Sequence, residues 1–292
     1  MNYDEVSTFL EIIRQGSITK AAEALYISQG TASARMQSLE ESLGITLFYR
    51  QQGIRNILLT PQGKEFESIA RQYISLCSEA ENIRHKHQYQ IFRIACTDSI
   101  NRLLSNDFYP QFTEKHPDII VSVHTEHATE IYNMIDGGNA DLGLGRSLHT
   151  DKNVTASSLY SEESVLLHHK ESNILPHQEI HIHYSDAYQN WYIKHFPESD
   201  HPKVTIGTLS MLEPFLKEKD TWAIVQRSIA EELCLKNSEL VFQNIKTPYL
   251  FTTYYYHSKQ LKPWIIPVID LFMKELNAYL HTLNIKSTYS AF

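Results

Sequence analysis

Residues 1–44 carry three helical patterns joined by connections so short that the helices must cross at steep angles, which makes the start of the chain a compact three-helix unit. Val6, Phe9, Leu10 and Ile13 recur at i, i+3, i+4 and i+7, and Gly16 stands where such an amphipathic helix ends. Ser17 is placed to cap a second helix, whose Ala21, Ala22 and Leu25 form a small-residue face that lets a neighbour approach closely. Ser28 caps a third helix, with Ala32, Met36, Leu39 and Leu43 as its apolar stripe and Gly44 as its stop.

The face opposite that stripe is unusual. At 100° per residue it carries Gly30, Ser33, Ala34, Gln37 and Ser38, with Gln29 and Thr31 at its N-terminal end. Ordinary solvated faces carry Lys and Glu. Small hydrogen-bonding groups are what a helix needs to sit deep in a major groove and touch base edges. Ile45, Leu47 and Phe48 return to the core, and residues 50–59 read as two short strands around Gly53, a wing. Arg50, Arg55 and Lys64 could then meet flanking phosphates. The DNA-facing set is therefore Ser28, Gln29, Gly30, Thr31, Ser33, Ala34, Arg35, Gln37, Arg50 and Arg55, against the plainer reading of an exposed polar face.

A formal charge of -8 argues against a nucleic-acid partner until its distribution is considered. Residues 1–64 hold six basic and six acidic side chains, so the acidity belongs to the remainder of the 292-residue chain. That length suits two domains, and 42% apolar residues suffice to bury both cores. No run of eighteen apolar residues occurs, and Asp4 and Glu5 stand where a signal peptide would be basic and then apolar; a cytoplasmic protein without a membrane partner is expected. Cys77, Cys96 and Cys234 fit neither a disulfide framework nor a paired metal or redox motif.

The run from Gly16 to Leu25, then Ser28-Gln29, Ser33, Leu39-Glu40, Leu43-Gly44, Leu47-Phe48, Arg50 and Leu59-Thr60-Pro61-Gln62-Gly63, resembles the LysR-type transcriptional regulators, in order and without gaps. The resemblance implies that Gln29, Gly30, Ser33 and Ala34 face the bases. The family often has Pro or Ser at the position of Gly30 and a basic residue at that of Ala34, which leaves two expectations here, a weaker hold on phosphate or Arg35 in the missing cation's place.

Beyond the wing, Phe66, Ile69, Tyr73, Leu76, Ala80 and Ile83 alternate three and four apart, as in a heptad seam. Such a helix packs on its own chain or on a partner. The resemblance favours a homodimer through this helix, or a homotetramer of two dimers, and paired recognition helices on adjacent turns would read an inverted repeat.

After Gln90 strands alternate with helical stretches: 91–96, 119–125, 141–145, 165–169, 180–184, 204–207, 222–226 and 250–256, an α/β arrangement. The resemblance implies a fold like type 2 periplasmic solute-binding proteins, with two subdomains flanking a cleft. The expected fold class is thus α/β overall, with a mostly α winged helix-turn-helix (1–60), a linker and dimerisation helix (61–88) and an effector domain (89–292). Subdomain I covers about 89–162 and 265–292 and subdomain II about 163–264, with crossings near Glu162 and Trp264.

In open α/β sheets ligands sit beyond the carboxyl ends of strands. Thr97-Asp98-Ser99 and Glu126-His127-Ala128-Thr129 occupy such places, either as helix caps or as a pocket. The expected effector set is Thr97, Asp98, Ser99, Thr129 and Arg146; Ser99 and Thr129 match family positions, and family members commonly bind small organic acids. Asp98 and Glu126 leave an amine or zwitterion open, with Arg146 as the opposite charge. Arg227 and Ser228 are weaker candidates.

Three other readings remain. His181-x-His183 could bind metal, but the other histidines are scattered, so no metal or cofactor is expected. Cys96 could sense redox state or fill core. An enzyme or ligand-binding protein on a solute-binding fold, with an accessory DNA-binding domain, would lack any recognisable GxSxG, P-loop, HExxH or dinucleotide motif. The expectation is a regulator and not an enzyme.

Overall fold

The structure, a computed structural model, describes residues 1–49, 57–81, 89–148, 153–197 and 201–289. Two compact units are present, Met1–Gln90 with Asn133–Ala140, and Ile91–Tyr132 with Asp141–Phe292. Among the described residues no helix is long and apolar enough to cross a membrane.

In the first unit α1 (Tyr3–Gln15) begins with a reciprocal pair: the Asn2 side chain accepts from the Glu5 backbone and the Glu5 carboxylate from that of Asn2. The Ser38 hydroxyl bond is the main cause that holds the Glu5 carboxyl below its usual range. Gly16 ends α1 in the left-handed conformation, φ 64°. Ser17 caps α2 (Ile18–Ala24), and Ser28 caps α3 (Gln29–Leu43) by accepting from Thr31 N at 3.0 Å. Gly44, φ 68°, closes α3. These four punctuating residues act as the local sequence predicts.

The three helices close on Val6, Phe9, Ile12, Ala21, Met36 and Leu39, joined by Leu47, Phe48 and, from α4 (Pro61–Glu81), Phe66 and Ala70. The Phe9 ring lies 5.3 Å from Phe48 and 5.2 Å from Phe66. Phe48 bridges Leu59 antiparallel and Tyr49 N donates to Leu58 O, which are the described ends of the expected wing. Arg50, Gly53 and Arg55 lie outside the described residues.

The α4 seam divides between two faces. Phe66 is buried and Tyr73 half-buried against the unit's own core, whereas Ile69 and Leu76 are 53% and 56% exposed and Ala80 is exposed too. Phe9 and Phe48 draw the Phe66 side of the helix inward, and the other positions remain outside. Ile83 lies outside the described residues.

In the second unit β1 (Gln90–Cys96) leads through α5 (Asp98–Ser105) and α6 (Phe108–Lys115) to β2 (Ile119–Thr125), then α7 (Ala128–Asp136), whose last four residues are grouped with the first unit, and β3 (Leu142–Gly145). The strand β4 (Val154–His169) serves two lobes. Val154–Glu163 pairs with β9 (Leu250–Ser258), while Ser164–His169 runs between β7 (Trp222–Gln226) and β8 (Leu240–Asn244), all antiparallel. Strand β9 returns to pair with β3, so residues 250–258 join the first lobe's sheet, in the order β2-β1-β3-β9-β4-β7. The chain therefore crosses back at about Leu250 rather than near Trp264.

The second lobe adds β5 (Ile180–Ile182), α8 (Asp186–His195), β6 (Val204–Ile206), α9 (Leu212–Phe215) and α10 (Arg227–Lys236). Its core centres on Val165, Leu167, Ile180, Leu212 and Ile229. The first lobe's core takes Ile269, Phe272, Met273 and Leu276 from α11 (Ile266–Thr282), and the Phe272 ring meets Phe92, Phe108 and Phe112 at 5.1–5.2 Å. Two strands exceed expectation: the first half of β4 and the whole of β8. Ser157, Ser158, Ser161 and Glu163 break the apolar run of β4, and β8 has only Leu240, Val241 and Phe242 to announce it.

Candidate functional site

On α3 the residues Ser28, Gln29, Gly30, Thr31, Ser33, Ala34, Gln37 and Ser38 are all exposed. The Ser28 and Thr31 hydroxyls lie 2.8 Å apart, so Thr31 is partly held by the cap. Gln37 donates to Glu41 at 2.8 Å along the helix. Gln29 and Ser33 have no hydrogen-bond partner among the described residues and present their polar atoms to solvent.

The described cations of this unit's helix-turn-helix divide between paired arginines and exposed lysines. Arg35 Nη2 donates to Asp4 at 2.7 Å and its Nη1 to the Thr8 hydroxyl at 3.3 Å. Arg14 grips Glu11 through Nε at 2.8 Å and Nη2 at 2.6 Å. Lys20 and Lys64 are exposed. The separation of thirty-one residues between Arg35 and Asp4 hid this pairing from any local reading of the sequence.

Within the second unit a cavity of about 350 Å³ opens between the two lobes, a size suited to a small molecule. Four of the five residues expected there line it: Thr97, Asp98, Ser99 and Arg146. Thr129 is exposed and absent from the lining, where Glu126, His127 and Ala128 stand instead. Thr97 precedes α5 without a side-chain cap, leaving the first amides of that helix uncapped by it.

Arg146 is the central cation. Its Nε donates to the Ser99 hydroxyl at 3.1 Å, its guanidinium lies 5.3 Å from the centroid of the Phe251 ring, and Nη2 is 3.6 Å from a Glu162 carboxylate oxygen. The Arg146 Nη1 atom is buried without a hydrogen-bond partner. The other oxygen of Glu162 accepts from Ser228 N at 3.1 Å, so this carboxylate, carried by the strand shared between lobes, caps α10 of the second lobe. Ser228 and Arg227 do not line the cavity; Arg227 pairs with Asn244 at 2.8 Å and Glu163 at 3.4 Å.

Asp98 does not point its charge at a ligand alone. It accepts from Ser210 N at 3.2 Å and from the Ser210 hydroxyl, across the mouth of the cleft. Arg102 extends that contact to Glu213 and to Glu232, the latter at 3.4 Å. The Arg102 hydrogen bond holds the Glu213 carboxyl below its usual range.

The second lobe supplies lining beyond the set expected from the sequence: Ile182, His183, Tyr184, Ser185, Thr208 and Leu209, with Tyr249 just before the return strand and Phe251 on it. A signal existed. Ser185 caps α8 immediately after β5, the same strand-end pattern that singled out Ser99. Tyr184 donates to Ile224 O at 3.2 Å, and burial pushes its phenol far above the usual range.

His181 and His183 share the Gln189 amide nitrogen at 2.9 and 3.1 Å, and His181 Nδ1 is 3.0 Å from the buried Glu179. Among the described residues no group of three or more His, Cys, Asp and Glu is arranged to hold a metal ion. Cys96 is fully buried beside Tyr109, and burial pushes its thiol up to about 12. The native protein should therefore leave Cys96 unalkylated by iodoacetamide at mildly alkaline pH, with labelling only after denaturation. Modification of Cys96 in the folded chain, read by peptide mass spectrometry, would contradict the buried-thiol assignment.

A helix-turn-helix unit with a small, polar recognition face, carried on one chain with a two-lobed α/β unit and a ligand-sized cleft, defines a class of DNA-binding regulatory proteins. Residues 3–64 match the bacterial regulatory helix-turn-helix proteins of the lysR family, and residues 87–278 match the LysR substrate binding domain. The chain belongs to the LysR family of bacterial regulatory proteins. It is 32% identical over 151 residues to the HTH-type transcriptional regulator CysB of Haemophilus influenzae, covering 49% of this chain and 46% of that protein. Against the transcriptional activator protein LysR of Escherichia coli it is 29% identical over 173 residues, 56% of this chain and 53% of the other. The matches span about half the length of these curated relatives. In solved structures the fold is shared with full-length OxyR from Pseudomonas aeruginosa, with TM-score 0.61, 13% identity and 95% of each chain covered. Full-length CbnR, solved in complex with its target DNA, gives TM-score 0.58 at 18% identity over 95% of this chain and 99% of that one.

Proposed function

We propose that the chain is a sequence-specific transcriptional regulator. Its α3 reads the major groove of duplex DNA, and its cleft binds a small effector, an organic acid or amino-acid-like molecule, that alters DNA binding. The observation that carries the DNA reading is the exposed face of small and polar residues between Ser28 and Ser38 on a helix capped at both ends, with no Lys or Glu among its outward positions. Ser28, Gln29, Gly30, Thr31, Ser33, Ala34 and Gln37 form that interface. Arg35 braces α3 against α1 through Asp4 and Thr8, and phosphate contact falls to Lys20 and Lys64 together with Arg50 and Arg55 of the wing.

Copies pair through the outer row Ile69, Leu76 and Ala80 of the linker helix, as the exposed apolar side chains there require cover. The effector acts by population shift. It favours one closure of the two lobes, working with or against the Asp98–Ser210 and Arg102–Glu213 contacts, and so changes how dimers associate on DNA. Regulation then works through geometry.

The test begins with thermal-shift screening of small carboxylates and amino acids on the full chain, followed by DNA binding with and without any hit. Arg146→Lys keeps a cation opposite Glu162 but removes the buried, unpartnered Nη1 atom. Effector affinity should fall roughly ten-fold or more, the loss of a hydrogen bond to a charged group, while binding to DNA without effector holds. Equal effector affinity in Arg146→Lys would remove Arg146 from the site, and a hit that changes neither affinity for DNA nor assembly would sink the population-shift mechanism.

A further inference from the structure

The helices α1, α2 and α3 each end on a left-handed residue, and two of the three use glycine, Gly16 and Gly44. The third, between α2 and α3, uses Tyr26 at φ 56°. Its geometry is the two-bond helix stop in which glycine is the usual occupant: Ile27 N donates to Ala22 O at 3.0 Å and Tyr26 N to Glu23 O at 3.1 Å. A bulky side chain at positive φ is strained, and such strain persists where something other than folding selects it.

The ring does nothing for the fold, because Tyr26 is 97% exposed. It stands two residues before the Ser28 cap of α3, in the turn that joins the helix expected to cross the DNA backbone, α2, to the helix expected in the groove, α3. Of the cations of this unit, Arg35 is held by Asp4 and Thr8 and Arg14 by Glu11, while Lys20 and Lys64 are exposed. Neutral hydroxyl donors share phosphate contact with such cations, and tyrosine is one of the side chains that does so.

We infer that Tyr26 is a DNA-backbone contact, its phenol hydroxyl donating to a phosphate oxygen and its ring lying against the adjacent sugar. This rests on the reading of α3 as the recognition helix. The contact positions the helix without choosing among sequences, and it releases no counterion, because no cation is involved. Tyr26 is retained at a glycine position for DNA, against the preference of the fold.

The experiment compares the full-length wild type with Tyr26→Phe and Tyr26→Gly on a duplex selected by the wild type and on a scrambled one, by fluorescence anisotropy at two salt concentrations, with thermal midpoints alongside. Tyr26→Phe should lose roughly ten-fold in affinity on both duplexes, with the slope of affinity against salt unchanged. Tyr26→Gly should bind at least as weakly and melt at or above the wild-type temperature, since the strain is gone. Wild-type affinity in both variants overturns the inference, and so does a Tyr26→Gly chain that melts lower, because Tyr26 would then be holding the turn. A wild type that retains no duplex at either salt brings down the DNA-binding reading itself, a result distinct from the other two.

Discussion

Ser33→Arg should lower the ratio of specific to nonspecific DNA affinity by about a hundred-fold or more, with nonspecific binding unchanged or stronger. Ser33 is exposed on α3 between Gly30 and Ala34 and makes no hydrogen bond among the described residues, so the substitution leaves the fold alone. The major groove, about 12 Å wide, admits a helix only when the inserted face is small. A long guanidinium at this position holds the helix away from the base edges while its charge still attracts phosphates. The two effects separate in a paired titration of site and scrambled duplexes, with the thermal midpoint as control. A Ser33→Arg chain that keeps its preference for the site would mean that α3 does not enter the groove by this face.

Gly63→Ala should unfold or severely weaken the first unit. A Cβ on Gly63 would lie 2.1 Å from the Leu47 carbonyl oxygen and 3.0 Å from both the Leu47 carbonyl carbon and Leu59 Cδ2. That carbonyl cannot yield easily. It accepts from Thr60 N at 3.0 Å, and the Leu47 amide is itself held by the Glu40 carboxylate at 2.7 Å. The Gly63 amide in turn donates to the Thr60 hydroxyl at 2.9 Å, and that hydroxyl donates to Thr46 O, fixing the first turn of α4 beside Leu47. Overpacking of this kind costs about 3 kcal/mol where neighbours cannot move. The midpoint of the first unit should fall by about 10 °C or more, with DNA binding lost as it melts. An unshifted midpoint by circular dichroism would mean that the approach of α4 to Leu47 is looser than the structure has it.

The helix ends of the first unit were legible because capping is chemistry within four residues: Gly16, Ser17, Ser28 and Gly44 each act on immediate neighbours. The outward face of α3 was legible for the same reason, since 100° per residue separates it from Ala32, Met36 and Leu39. Tyr26 was not, because a helix stop without glycine leaves no mark in the sequence. The α4 seam was read as one face. Which side of a helix turns inward is decided by Phe9 and Phe48, some twenty to sixty residues away, and no periodicity reports it.

The cleft was half legible. Thr97, Asp98, Ser99 and Arg146 follow the ends of β1 and β3 and are visible as strand ends. The opposing wall from Ile182 to Ser185 follows the same rule after β5, but its strand has three residues and little to mark it. Glu162 was visible only as a crossing point. Its pairing with Arg146 and with the amide of Ser228 depends on β4 running through both lobes, and the serines along that strand conceal its length.

The most direct test of the account is selection of duplexes from a random library by the full-length protein at about 50 and about 200 mM salt, followed by sequencing. An inverted repeat whose half-sites are about one helical turn apart should be enriched, surviving the higher salt and lost when Ser33→Arg replaces the wild type. No enriched sequence at either salt, or the same motif selected by Ser33→Arg, would contradict the claim that α3 reads DNA.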